Sequence, residues 1–454
     1  MKKTLLWVIV LVLSISMVGT FSFVGCKEEA APAEEVTEEA APIEEEAVEE
    51  EAVEEVTEEV GLNFEGVKLN VLMMSHPPAL EAAKIGCADF EELTGAEIDI
   101  VEASYSTLHD LAMSAFVGGT GAYDVISVPY QWTGEFAEPG YIISLDDFIA
   151  KDDPDIDDYI PKAVALYGSW DGHVVELPWN GEAMLLFYRT DLLEEAGFGP
   201  PVTWDDFDEI CEFFKDNPDY PGIYGTSIMG LREQCMTMVT NRYWGLGGEL
   251  IDESGNASMD NETMVKALNL LAKHANDYSP PGALAAGLPE TTAAFLDGTV
   301  VMEEQWPLVI GIASEDPDQS KVVGKVGAIV PPGQSPHSGG WGLAIANDCK
   351  DKEAAYQLAK YLTNVENDKY FFTEFGKAPT RVSTYADEGL QEKYYFFEEL
   401  MKSIDAARPR FREPESAELC GMMDQRVSEF LAGELTAEEC AKIMNDDAME
   451  ILSK

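Results

Sequence analysis

From residue 67 to residue 128 the sequence changes its hydrophobic period four times. Val67–Met73 runs apolar like a strand. Pro78–Leu93 carries helical spacing and stops at Gly95, and Ala96–Val101 is a second strand. Ser106–Val117 is a second helix ending on Gly118-Gly119, and Tyr123–Val128 (YDVISV) is a third strand. Helices between successive strands, joined by short links, force right-handed crossovers and therefore a parallel sheet. In such sheets ligands lie beyond the carboxyl ends of the strands. Those ends are Ser75-His76-Pro77, Ser104-Tyr105 and Tyr130-Gln131-Trp132.

The α/β pattern continues. Val174-Val175-Glu176-Leu177 reads as a strand ending at Pro178, and Ala183–Arg189 as another, so Pro178-Trp179-Asn180-Gly181 is expected to be a break with a large aromatic placed at it. Thr203-Trp204-Asp205-Asp206 is a capping box ahead of Phe207, Ile210, Cys211 and Phe214 at helical spacing. Met264, Ala267, Leu268 and Leu271 repeat that spacing, as do Ala355, Leu358, Ala359 and Leu362, and Thr436-Ala437-Glu438-Glu439 opens a last helix. Thr299–Met302, Val322–Val330 and Gly342–Ala346 are strand-like. A chain of 454 residues is too long for one sheet, which predicts two α/β lobes.

The first 26 residues stand outside that fold. Lys2 and Lys3, the apolar run Leu5–Val18 and Phe23-Val24-Gly25 before Cys26 have the layout of a secretory signal. A cysteine after a small residue resembles the lipobox of bacterial lipoproteins, which implies lipidation at Cys26. Residues 27–60 hold 16 glutamates and one lysine, so they are expected to form an extended acidic tether.

Setting residues 1–60 aside leaves 69 acidic against 26 basic side chains, a formal charge near −43. That field repels phosphate and excludes nucleic acid as an expected partner. Six cysteines remain beside Cys26 (Cys87, Cys211, Cys235, Cys349, Cys420 and Cys440), none as CxxC. Export permits disulfides, but a core of this size does not require them.

Catalytic and cofactor patterns are missing. The five histidines, His76, His109, His173, His274 and His337, show no metal-ligand spacing, and no GxGxxG, P-loop or GxSxG occurs. Asp153, Asp155 and Asp157 alternate like the start of a calcium loop. However, Asp158 stands where its glycine is needed and Val164 where its glutamate is needed. The reading is therefore of a binding protein without a cofactor or metal.

The positive signal is aromatic. Trp132, Trp179, Trp306 and Trp341 all fall at strand ends or beside Gly/Pro breaks, and Tyr105, Tyr130 and Tyr243-Trp244 share the habit. A sugar ring offers an apolar C–H face that a flat aromatic covers, and a hydroxyl edge for planar polar groups. Gln131, Glu182, Glu304 and Arg408 lie near these aromatics, and His76 joins them from the first strand end. Trp204, inside its capping box, reads as core. The candidate ligand-binding set is His76, Tyr105, Gln131, Trp132, Trp179, Glu182, Glu304, Trp306, Trp341 and Arg408.

Four stretches carry a resemblance: YDVISVPYQWTGEFAEPGYIISLDDF (123–148), VVELPWNGEAMLLFYRTDLLEEAGFGPPVTWDDF (174–207), AAFLDGTVVMEEQWP (293–307) and GGWGLAIANDCKDKEAAYQLAKYLT (339–363). With GKAPTRVSTY (376–385) and LAGELTAEEC (431–440), they resemble, in order, the extracellular solute-binding protein family 1. These are the sugar receptors of bacterial ABC importers. The resemblance implies a two-lobed periplasmic-binding-protein type II fold with a three-segment hinge. It places lobe 1 at 61–178, lobe 2 at 182–338, a hinge and lobe 1 return at 339–390, and a lobe 2 C-terminal segment at 391–454. Crossings are expected near Pro178–Glu182, Gly339–Ala346 and Ala386–Leu400. It further implies a monomer, lipid-anchored to the membrane, that hands a mono- or short oligosaccharide, or a polyol, to a membrane permease. Polyamine binding on the same scaffold and a surface carbohydrate-active enzyme are the alternatives.

Overall fold

The computed structural model describes residues 61–453, so the signal sequence, Cys26 and the acidic tether lie outside the described residues. Strand β1 (Lys68–Met74) is followed by helix α1 (Pro77–Thr94), β2 (Glu97–Ala103), α2 (Tyr105–Gly118) and β3 (Val125–Pro129). β1 pairs in parallel with both β2 and β3, as the alternation of periods predicts. Pro77 and Pro78 occupy the first turn of α1, where no N–H is needed. The helix stops at Gly95, whose φ of 76° is left-handed and whose N–H bonds the Glu91 carbonyl. Its apolar face (Leu80, Ala83, Cys87, Phe90) joins Leu69, Val71 and Met73 of β1 in one core.

Helix α3 (Pro161–Tyr167) precedes β4 (Glu176–Ala183), and a single residue, Met184, separates β4 from β5 (Leu185–Arg189). Then come α4 (Trp204–Phe214), β6 (Tyr224–Ser227), α5 (Cys235–Gly245), α6 (Glu262–Lys273), β7 (Val300–Gln305) and β8 (Val326–Ile329). The last large elements are β9 (Ser338–Ile345), α7 (Lys352–Leu362), α8 (Val365–Phe375), α9 (Phe397–Ala406), α10 (Ser416–Leu431) and α11 (Ala437–Leu452). Two main sheets result, a five-stranded one in the order β2-β1-β3-β9-β4 and a four-stranded one in the order β8-β5-β7-β6.

Two lobes follow from this topology. The chain leaves the first sheet at Met184 and returns through residues 330–337. It leaves again after α8, whose Phe371 still belongs to the core of α1 and α7. Phe397, Leu400 and Ile404 of α9 already share a core with Leu185 and Phe187 of β5. Residues 377–385 stay with the first lobe, with Thr380 on the Pro178 carbonyl, Arg381 on the Thr363 carbonyl and Ser383 on Asp158. Tyr395 and Phe396 meet Ser314 and Gly311 of the second lobe, so the third passage lies between them, inside the expected stretch Ala386–Leu400. The crossing expected near Gly339–Ala346 comes just before it, at residues 330–337, and Gly339–Ala346 runs along β9. In the second lobe α10 and α11 pack on α5 and α6 through Leu419, Met423, Cys440 and Met444 against Met236, Val239, Met264 and Leu268.

Pro178-Trp179-Asn180-Gly181 is not a break. It lies inside β4, paired antiparallel with β9, with a register shift at Trp341/Gly342. β4 is the edge of its sheet, where a proline costs no ladder bond. The outer side of that edge is covered by residues 377–380. Lys377 Nζ donates to the Trp179 carbonyl at 2.7 Å, Thr380 Oγ1 to the Pro178 carbonyl at 3.2 Å, and Ala378 N to Asn180 Oδ1 at 3.0 Å. Gly340, φ 153°, is required because the ring of Tyr167 lies 2.4 Å from where a Cβ would stand.

The capping boxes form as read, Thr203 with Asp206 and Thr436 with Glu439. Trp204 is buried against Phe207 and carries the Arg242 guanidinium 4.6 Å from its ring centre. Asp153 caps a turn through Ile156 N at 2.9 Å. Cys87, Cys211, Cys235, Cys349, Cys420 and Cys440 are all buried free thiols.

Candidate functional site: a cleft between the two sheets

A cavity of ≈ 1050 Å³ draws its walls from both lobes. From the first sheet it receives the residues that follow β1, β2 and β3, namely His76, Tyr105, Gln131 and Trp132. Their convergence is a consequence of topology, because parallel strands present all their carboxyl ends on one side. Tyr105 and Trp132 lie 4.7 Å apart with their rings tilted by 42°, and Trp341 of β9 meets both rings edge-on, at 6.1 and 6.4 Å. Gln131 Nε2 donates to Tyr105 Oη at 2.5 Å, and the Gln131 carbonyl accepts from Ser416 Oγ at the start of α10. Behind Trp132 stands His109, 4.8 Å ring to ring, bonded to Glu135 at 2.9 Å; that bond holds the imidazole above the usual histidine range.

The opposite wall comes from the second lobe. Trp306 follows β7 directly, and its ring lies 2.6 Å from where a Cβ on Gly339 would be, so β9 has glycine where this ring crosses it. Glu233, Gln234 and Thr237 at the start of α5, Asp424 and Cys420 of α10, and Arg410 complete that wall. Asp424 Oδ1 accepts from Met236 N at 3.0 Å; burial raises its pKa to about 6. Among the described residues lining the cavity, Arg410 is the one side chain of fixed positive charge, set against Asp110, Glu182, Glu233 and Asp424.

Eight of the ten expected residues therefore line one cavity: His76, Tyr105, Gln131, Trp132, Trp179, Glu182, Trp306 and Trp341. Trp179 does so as part of a wall. It is 1 % exposed, meets Phe371 at 5.8 Å, and has the Lys377 ammonium 4.7 Å over its ring. Two residues lie elsewhere. Glu304 is on β7, an inner strand packed on both faces, and forms a fully buried ion pair with Arg242 at 2.8 Å. Arg408 turns outward and pairs with Glu249. Arg410 takes the place expected of Arg408, and nothing in the run RPRFR distinguishes the two arginines. Asp424 and His109 gave no signal, since their relation to the strand ends is made only by folding.

Two α/β lobes with an aromatic and polar cleft between them define a solute-binding architecture. Residues 77–369 match the model of the bacterial extracellular solute-binding protein family, and the chain belongs to that family. An ABC-transporter solute-binding protein of Agrobacterium radiobacter K84, solved with ribitol, superposes with a TM-score of 0.77 at 27% identity, over 86% of this chain and 100% of that one. Maltose-bound MalE3 of T. maritima gives 0.76 at 28% identity, over 85% and 100%. A probable amino-acid ABC transporter periplasmic-binding protein, y4oP of Sinorhizobium fredii, is 28% identical over 335 residues, covering 72% of this chain and 75% of its own length.

Proposed function

We propose that the protein captures a sugar or polyol in this cleft and delivers it to the permease of an ABC importer, without chemical turnover. The observation that carries the reading is that aromatic rings from both lobes, Tyr105, Trp132 and Trp341 from the first and Trp306 from the second, line one cavity together with polar groups. The rings suit the C–H faces of a polyhydroxy solute. The guanidinium of Arg410 suits hydroxyl oxygens, and Glu182 and Asp424 suit hydroxyl hydrogens. Relatives solved with ribitol and with maltose support the same class. Closure on the solute is a shift between open and closed populations, driven by contacts that exist only when both walls touch it.

The signal sequence and Cys26 support an extracytoplasmic protein tethered by lipid, acting as a monomer, with the acidic spacer between membrane and lobes. Replacing Cys26 with serine should release the protein from the membrane fraction; retention there would remove the lipid from the account.

The excess of carboxylates around the cavity favours a second reading, a cationic solute such as a polyamine. One experiment separates the two. A thermal-shift panel of mono-, di- and trisaccharides, polyols, amino acids and polyamines detects any ligand that binds the folded state, since stability rises with RT ln(1 + [L]/Kd). A shift with a sugar or polyol is expected. A shift confined to polyamines or amino acids would replace the reading.

A further inference from the structure

We propose that His337, as its neutral Nδ1–H tautomer, is the residue that positions the Arg410 guanidinium in the cleft. The inference rests on the reading of that cleft as the solute site. His337 is fully buried and ends the passage at residues 330–337, just before β9. Arg410 Nε donates to His337 Nε2 at 2.7 Å. An arginine keeps its protons, so Nε2 must carry the lone pair and the ring hydrogen sits on Nδ1. Nδ1 then donates to Thr240 Oγ1, 2.8 Å away. Burial and the neighbouring Arg410 charge hold the imidazole well below the usual histidine range, in keeping with a ring that must stay neutral.

The same residue is a knot between the lobes. Its carbonyl accepts from the N–H of Met184, the single residue between β4 and β5, at 3.0 Å. Its own N–H donates to Asn241 Oδ1 at 2.7 Å, and Asn241 Nδ2 donates to Glu304 Oε1 at 3.0 Å. Glu304 is held in turn by Arg242, so the imidazole stands on a buried polar network of the second lobe. On either side of it, Arg408 N donates to the Pro336 carbonyl at 2.8 Å and Ser338 N to the Arg408 carbonyl at 2.9 Å. Arg410 N donates to Tyr130 Oη at 3.1 Å, at the end of β3 in the first lobe. The ring of His337 also meets Trp306 edge-on at 6.1 Å and lies 5.4 Å from Trp244.

Arg410 Nε and its backbone N–H are both committed, and Cys420 and Tyr130 stand beside its guanidinium at the cavity wall. The fixed Nε end points the guanidinium, which lines the cavity and can present its outer N–H groups to neighbouring oxygens of a solute. His337 thereby aims the cation of the cleft and braces the Trp306 plate beside it.

The test uses the intact protein with His337→Phe, which keeps a ring but no acceptor, His337→Gln, which restores an acceptor, and Arg410→Ala. For the best-binding sugar or polyol, His337→Phe is expected to weaken affinity about 10- to 100-fold, the scale of a lost hydrogen bond to a charged group. His337→Gln should recover most of it. In the Arg410→Ala background His337→Phe should cost nothing further. Equal losses in both backgrounds, or no recovery with glutamine, would overturn the proposal. Long-range ¹⁵N–¹H spectra of the imidazole, recorded without solute, decide the tautomer. Nδ1–H in the wild type, with the preference lost in Arg410→Ala, is expected, and Nε2–H in the wild type would overturn the positioning role. If no sugar or polyol binds the wild type, the functional reading fails, and these spectra alone judge the tautomer and its dependence on Arg410.

Discussion

Arg242 and Glu304 meet at 2.8 Å with neither side chain exposed, one turn of α5 away from the cleft rather than in it. The carboxylate also accepts from Asn241 Nδ2 at 3.0 Å, and the guanidinium donates to His274 Nδ1 and to the Met238 carbonyl. Every strong donor and acceptor of the pair is used. Removing one partner leaves the other charged and buried, so Glu304→Ala should cost about 3–5 kcal/mol of stability. Denaturant titration checks this. A variant of unchanged stability that no longer binds solute would return Glu304 to the ligand site.

Trp179 and Trp306 should respond in opposite ways. Trp179 is core, so Trp179→Ala should lower stability by about 3–5 kcal/mol. Trp306 is half-buried at the cleft wall, and Trp306→Ala should leave the melt nearly unchanged while solute affinity falls about tenfold or more. Calorimetric titration beside thermal melts separates the two. Equal effects of both variants on affinity, with no loss of stability, would make Trp179 a ligand plate after all.

Two buried carboxyls set an unusual pH response. Burial raises the pKa of Glu176 and of Glu303 from 4.5 to about 8, and Glu176 has both oxygens, and Glu303 one, without a hydrogen-bond partner. Folded, each holds its proton; unfolded, each loses it near 4.5. The unfolded state binds fewer protons between these values, so each group's contribution is full below about 4.5 and is lost as pH rises toward about 8. Glu303→Gln keeps the neutral form at every pH, and its stability relative to the wild type should climb from pH 5 to pH 8 and level off above. A flat difference would mean that the carboxyl is ionised in the folded protein.

Self-repulsion at a charge near −43 predicts that salt stabilises the lobes. The melting midpoint should rise from low ionic strength to about 0.5 M NaCl, well beyond the Debye screening of exposed pairs. A falling midpoint would show that the surface ion pairs, such as Lys151–Glu353 and Lys321–Asp297, outweigh the repulsion.

Much of the first lobe was legible because its signals are local. Period changes fixed β1 to β3 and their crossovers, and parallel topology then fixed which residues gather at the cleft, from His76 to Trp132. The capping boxes at Thr203 and Thr436 marked their helices for the same reason. Pro178–Gly181 misled because turn-forming residues are tolerated on an edge strand, and the segment that covers this edge lies about 200 residues away. Glu304 is two residues from Trp306, which makes the wall, and only the packing of β7 on both faces separates them. Arg410 and Asp424 reach the cleft from the connection before α10 and from α10 itself, positions that no spacing in the sequence ties to the strand ends.

The most direct test is a crystal structure with the best-binding sugar or polyol. Density is predicted between Trp132 and Trp341 on one wall and Trp306 on the other, with two solute oxygens within hydrogen-bonding distance of Arg410 Nη1 and Nη2. A solute bound outside this cavity, or inside it without contact to Trp306 and Arg410, would contradict the account.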